Sequence, residues 1–125
     1  MYVHEQTNPA VTPMPGLSHS TWAGQDEGMS QLSVWRQSIE PGAATPPHRH
    51  DCDEIIICSG GKGEVHIAGA VHAFEARSNL TLPRNVLHQI FSVGDRALEI
   101  VGVLAASPVD VFLPDGQKID LPWRT

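Results

Sequence analysis

The chain has 125 residues, 41% of them hydrophobic and 18% charged, and its 8 Lys+Arg against 14 Asp+Glu give a formal net charge of −6. That length allows one domain, and that composition excludes a disordered chain. The acidic balance offers no general attraction to phosphate backbones, and no apolar run approaches bilayer length, so neither nucleic acid nor a membrane is expected as a partner. Residues 1 to 15 lack a basic segment followed by an apolar one, and Cys52 and Cys58 are the only cysteines. A cytoplasmic protein without a disulfide framework is the expectation.

Ten Pro and eleven Gly point to many turns and to an all-β chain. Residues 1 to 28 carry little periodic apolar signal and read as an N-terminal arm with one or two short strands around Ser18–Trp22. Residues 29 to 125 read as the barrel proper. Gln31–Glu40 is a strand closed by Pro41–Gly42. Pro46–His50 is extended, because residues before proline avoid the α region, and Asp51–Asp53 is a turn. Glu54–Cys58, with three consecutive isoleucines, is a buried strand. Glu64–Ala68, Ala70–Ala76, Asn79–Leu82, Leu87–Val93 and the apolar Ala97–Ala105 follow. Val109–Leu113 and Gln117–Leu121 flank Pro114–Asp115–Gly116 and predict a terminal hairpin. Many short strands between regular turn signals imply a sandwich or small barrel.

Three of the seven histidines and one glutamate form a pattern. His48 and His50 share one face of an extended segment, since residues i and i+2 point the same way. Glu54 opens the next strand after the turn. His88 lies 34 residues further on, inside another strand. Imidazoles plus a carboxylate suit one divalent transition metal per chain, from Mn(II) and Fe(II) to Ni(II), Cu(II) and Zn(II). Four protein ligands leave coordination positions free for a substrate.

Gly42-x5-His48-x-His50-x3-Glu54-x6-Gly61 matches the first motif of the cupin superfamily throughout, so the chain resembles a small single-domain cupin. The second cupin motif, Gly-x5-Pro-x-Gly-x2-His-x3-Asn, is kept at Pro83 and His88. Arg77 and Asn85 stand at its glycine positions and Ser92 at its asparagine. Asn tolerates positive φ, so Asn85 is a workable replacement. The resemblance implies an all-β jelly-roll barrel, a metal held by His48, His50, Glu54 and His88, and a homodimer. Iron leads among the metals, and a dioxygenase-type enzyme acting on a small organic metabolite leads among the functions. A metal-dependent isomerase or lyase and a non-catalytic sugar- or metabolite-binding barrel are the alternatives. The metal set argues against a purely structural barrel.

Other residues carry weaker signals. Ile56, Ile90 and Leu82 are expected to wall the pocket. Cys58 shares the parity of Glu54 and reads as a pocket thiol or, in the commoner role of a free cysteine, a small buried apolar residue. In strand 31–40, parity does not choose between two faces. An inward Arg36 would clamp a substrate carboxylate, whereas an inward Trp35 and Gln37 would form an aromatic wall with one amide. His66 and His72 lack a partner at ligand spacing. Trp123 is expected to anchor the tail by ordinary aromatic packing.

Overall fold

The computed structural model describes all 125 residues. Eleven strands follow one another: β1 Ala10–Val11, β2 Leu17–Ala23, β3 Ser33–Ile39, β4 Glu54–Gly60, β5 Lys62–Ile67, β6 Ala70–Glu75, β7 Asn79–Leu82, β8 His88–Ser92, β9 Leu98–Leu104, β10 Val111–Phe112 and β11 Lys118–Ile119. The one helical feature is a 3-10 turn at Gln25–Glu27. The strands form a six-stranded sheet in the order β1-β2-β3-β9-β4-β7, a three-stranded sheet β6-β5-β8, and the hairpin β10-β11. Neighbours pair antiparallel throughout. This is the jelly-roll architecture that the cupin resemblance implies.

Residues 1 to 28 contribute to the main sheet. β2 pairs with β3 along its length, with Leu17 opposite Ile39 and His19 opposite Gln37. Leu17 and His19 are both buried.

Alternation decides what the barrel encloses. β9 turns Leu98, Ile100 and Leu104 inward, β4 turns Glu54, Ile56 and Cys58 inward, and β8 does the same with His88, Ile90 and Ser92. Ten buried residues make the main core, among them Ile39, Ile56, Val65, Phe74, Leu82, Ile90, Leu98 and Ile100. A smaller cluster of Trp35, Leu104, Val109 and Val111 lies beside it. Full burial of such side chains contributes about 1.5–3 kcal/mol each.

The glycine positions of both motifs share one backbone character. Gly42 and Gly61 have φ of 83° and 79°, and Arg77 and Asn85 adopt 74° and 65°. The second motif has thus lost two glycines and kept their left-handed turns, at a cost to Arg77 of about 1–2 kcal/mol. Gly61 is required for space as well, because a Cβ there would run into the Ala97 carbonyl oxygen.

Candidate metal centre

The segment preceding β4 behaves as an extra edge to β8. Thr45 N–H donates to Ile90 O, and His48 and His88 exchange both backbone hydrogen bonds at 2.9 Å. Pro46 and Pro47 hold this stretch extended without needing ladder donors. His48 and His88 are therefore direct cross-strand neighbours, 40 residues apart in sequence. At Arg49 the chain leaves β8 and exchanges hydrogen bonds with Phe112 of the terminal hairpin, and His50 enters the barrel from that junction. Glu54, at the start of β4, sits opposite Leu82 on one side and Leu104 on the other.

These four elements bring His48, His50 and His88 together, with one ring nitrogen of each within 4.8 Å of the others. Glu54 Oε1 lies 3.7 Å from both His50 Nε2 and His88 Nε2. His50 and His88 are each 3% exposed and Glu54 7%.

Each imidazole is oriented from behind by a backbone carbonyl. Nδ1 of His48 lies 2.7 Å from Pro46 O, that of His50 2.9 Å from Asp110 O, and that of His88 3.0 Å from Val86 O. A carbonyl accepts only, so Nδ1 carries the hydrogen and Nε2 is left bare. Nothing in the protein answers the bare side: His88 Nε2 and Glu54 Oε1 are buried without a hydrogen-bond partner. Burial holds His48 down to about 3 and His50 to about 4, lowers His88, and pushes Glu54 up to about 8. Orphaned buried polar atoms cost about 1–3 kcal/mol each. A divalent cation among three bare imidazole nitrogens and a carboxylate removes that cost, so the residues present fit a metal.

The cluster lies in a narrow cavity of about 50 Å³ that opens to solvent. The rest of the lining is mostly apolar: Met14, Leu17, Trp35, Pro46, Ile56, Ile90, Val111, Ile119, Leu121 and Trp123, with Gln37 and Thr45 the polar members besides the cluster. Thr45 Oγ1 accepts from Ile90 N–H at 3.0 Å. Trp35 and Trp123 meet edge to face at 5.5 Å, and both indole N–H groups lack a partner.

Ile56 and Ile90 wall this cavity as their parity predicts. Arg36 and Cys58, the other two candidates, do not line it. β3 turns Ser33, Trp35 and Ile39 into the barrel, so Arg36 has the opposite parity, where it pairs with Glu99. Ser38 donates to the same carboxylate at 2.7 Å. The aromatic wall with one amide is the arrangement realised. Cys58 is 2% exposed and belongs to the main core, as does Leu82, which packs there and away from the cavity lining. His66 pairs with Glu64 of its own strand at 3.3 Å, both side chains well exposed.

Two contributions escape motif reasoning. Gly102 occupies an inward position of β9, where a Cβ would lie 3.1 Å from Glu54 Oε2. A glycine inside an apolar strand was its only sequence signal. Trp123 anchors the tail by aromatic packing as expected, and with Leu121 it also closes one side of the cavity, a role that no local pattern announces.

Fold and site together define a small cupin barrel with a candidate metal centre. Known structures share that fold: oxalate oxidase in complex with glycolate superposes with a TM-score of 0.75 at 22% identity, covering 90% of this chain and 63% of that one. A cupin-like protein from Thermotoga maritima superposes with a TM-score of 0.67 at 24% identity, covering 71% of this chain and 68% of that one. Within the cupins, the auxin binding protein family matches residues 6–122, and the chain belongs to it. Auxin-binding protein T92 of Nicotiana tabacum is 37% identical over 112 residues, which span 80% of this chain and 60% of that protein. The chain thus spans well under two-thirds of that relative's length.

Proposed function

We propose that the protein binds a small, largely apolar carboxylate at a divalent metal held by His48, His50, Glu54 and His88. The observation that carries this reading is the composition of the cavity. Beyond the cluster it offers aromatic and aliphatic walls with two unpartnered indole N–H groups, one amide, one hydroxyl that accepts from the backbone, and no further acid or base. A metal there would supply a Lewis-acid site for an anionic oxygen. The protein's own part is to hold three imidazoles by their Nδ1 hydrogens, exclude water with Trp35, Ile56, Ile90 and Trp123, and receive an apolar body between them. Relatives named auxin-binding proteins support the same ligand class, since auxins such as indole-3-acetate join an aromatic ring to a carboxylate.

The test is calorimetric titration of zinc-, manganese- and iron-loaded protein with indole-3-acetate. Saturable 1:1 binding that disappears when the metal is removed is the expected result. Equal binding by the metal-free protein would contradict the proposal. The dioxygenase reading is a second outcome of the same preparation: Fe(II)-dependent oxygen uptake with a bound carboxylate would make the barrel an oxygenase, and its absence would exclude that reading.

A further inference from the structure

His19 belongs to no ligand motif, yet it is a buried imidazole beside the cavity wall, 6% exposed. Its ring stacks on Trp123 at a centroid distance of 3.9 Å and meets Trp35 edge to face at 5.3 Å. Both ring nitrogens are engaged: Nε2 lies 2.7 Å from Thr21 Oγ1, and Nδ1 lies 3.1 Å from Gln37 Nε2. Thr21 Oγ1 in turn donates to the Arg124 carbonyl at 2.7 Å.

The direction of every proton in this chain follows from its last acceptor. A carbonyl cannot donate, so the Thr21 hydroxyl hydrogen is committed to Arg124 O. Thr21 Oγ1 must then accept from His19, which puts the hydrogen on Nε2. Burial holds His19 down to about 3, so the ring is neutral and its Nδ1 is bare. A bare Nδ1 accepts, and Gln37 must offer it an N–H. Gln37 is the cross-strand neighbour of His19 and lines the cavity. With Nε2 turned to His19, the atom of the amide left to accept from a ligand is Oε1.

We infer that His19 is a positioning residue: it fixes the sense of the Gln37 amide, so that the cavity presents an acceptor to an N–H or O–H donor carried by the bound carboxylate's apolar body. The ligand part rests on the function proposed above; the proton arrangement does not. Two measurements separate them. Long-range 1H–15N correlation on the metal-loaded protein should show His19 protonated at Nε2 and bare at Nδ1, with the Gln37 side-chain amide signals shifted in His19→Phe and in Thr21→Val. Protonation at Nδ1, or an amide unmoved by either variant, overturns the inference.

The second measurement compares indole-3-acetate with benzothiophene-3-acetate, in which sulfur replaces the ring N–H. Wild type should favour the indole by about tenfold, the worth of one buried hydrogen bond. The preference should vanish in His19→Phe, Thr21→Val and Gln37→Met alike, with unchanged metal content. A preference retained in His19→Phe and Thr21→Val overturns the inference. If neither compound binds wild type, the carboxylate reading falls and the His19 tautomer decides the positioning role by itself.

Discussion

Two groups of buried imidazoles border the same cavity and are satisfied to different degrees. His19 has a partner on each ring nitrogen, Thr21 and Gln37. His48, His50 and His88 have a backbone carbonyl behind and no hydrogen-bonding partner in front, apart from the proximity of Glu54. His19 sits on β2 and His88 on β8, whereas His48 and His50 lie on the bridge-paired segment before β4, and both groups are neutral by burial. The difference lies in what each leaves unanswered. A satisfied imidazole positions its neighbours, whereas three half-satisfied ones facing a common point are a binding site.

The sharpest way to break this comparison is to remove one member from each group. His88→Ala should weaken metal retention by more than about a hundredfold, since even supporting partners of metal ligands are worth 10–100-fold. His19→Phe should leave metal stoichiometry unchanged. Elemental analysis of both variants checks the pair, and metal loss in His19→Phe would erase the distinction.

Acid–base behaviour of the metal-free chain gives the next effect. The folded values of His48 and His19 lie at about 3, below the ordinary 6.5, so the unfolded chain takes up more protons between those values. Stability from these groups therefore rises with pH across that window. Glu54 is displaced the other way, from 4.5 to about 8, so the folded chain holds the extra proton and stability falls as pH rises across that range. Two or more imidazoles outweigh the one carboxylate below 6.5, so the metal-free protein should be most stable near that ordinary imidazole value and weaken above neutrality. Glu54→Gln should abolish the alkaline decline, a gain of about 1–3 kcal/mol at pH 8. Chemical denaturation in chelator at several pH values reads this directly. A decline unchanged in Glu54→Gln would remove Glu54 as its source.

Gly102→Ala probes the space beside Glu54 more gently. The added methyl, 3.1 Å from Oε2, should displace the carboxylate and lower metal affinity by about tenfold, within the range for disturbing a ligand's support. Competition against a chromogenic chelator measures it. The smallest effect belongs to Arg36→Met. Its ion pair with Glu99 is partly exposed and lies on the outer face, so thermal melting should reveal less than about 1 kcal/mol and metal content should stay constant. A change in metal content would return Arg36 to the pocket.

Much of this architecture is legible in the sequence because short strands announce themselves. The Pro114–Gly116 turn and the His48, His50, Glu54 spacing carry local physics that the fold preserves, whereas the Ile55–Ile57 run gives the expected strand but buries only Ile56, with Ile55 and Ile57 on its exposed face. The second motif is harder to read, since Arg77 and Asn85 hide two glycine-type turns that only the backbone reveals. Strand 33–39 is ambiguous by parity because it mixes polar and apolar residues on both faces. Its choice is made by what it packs against: Trp35 fills the space beside Leu104, Val109 and Val111, while Arg36 finds Glu99. The roles of His19 and Trp123 depend on the tail meeting β2, a contact between the two ends of the chain that no window of sequence contains.

The central claim is that His48, His50, Glu54 and His88 hold one divalent metal. Its most direct test is elemental analysis of chelator-free protein beside His48→Ala, each after anaerobic reconstitution with Fe(II), Mn(II) and Zn(II) in turn. One ion per chain in wild type and none in the variant is the predicted result. Equal occupancy in both, or none in either, would contradict it.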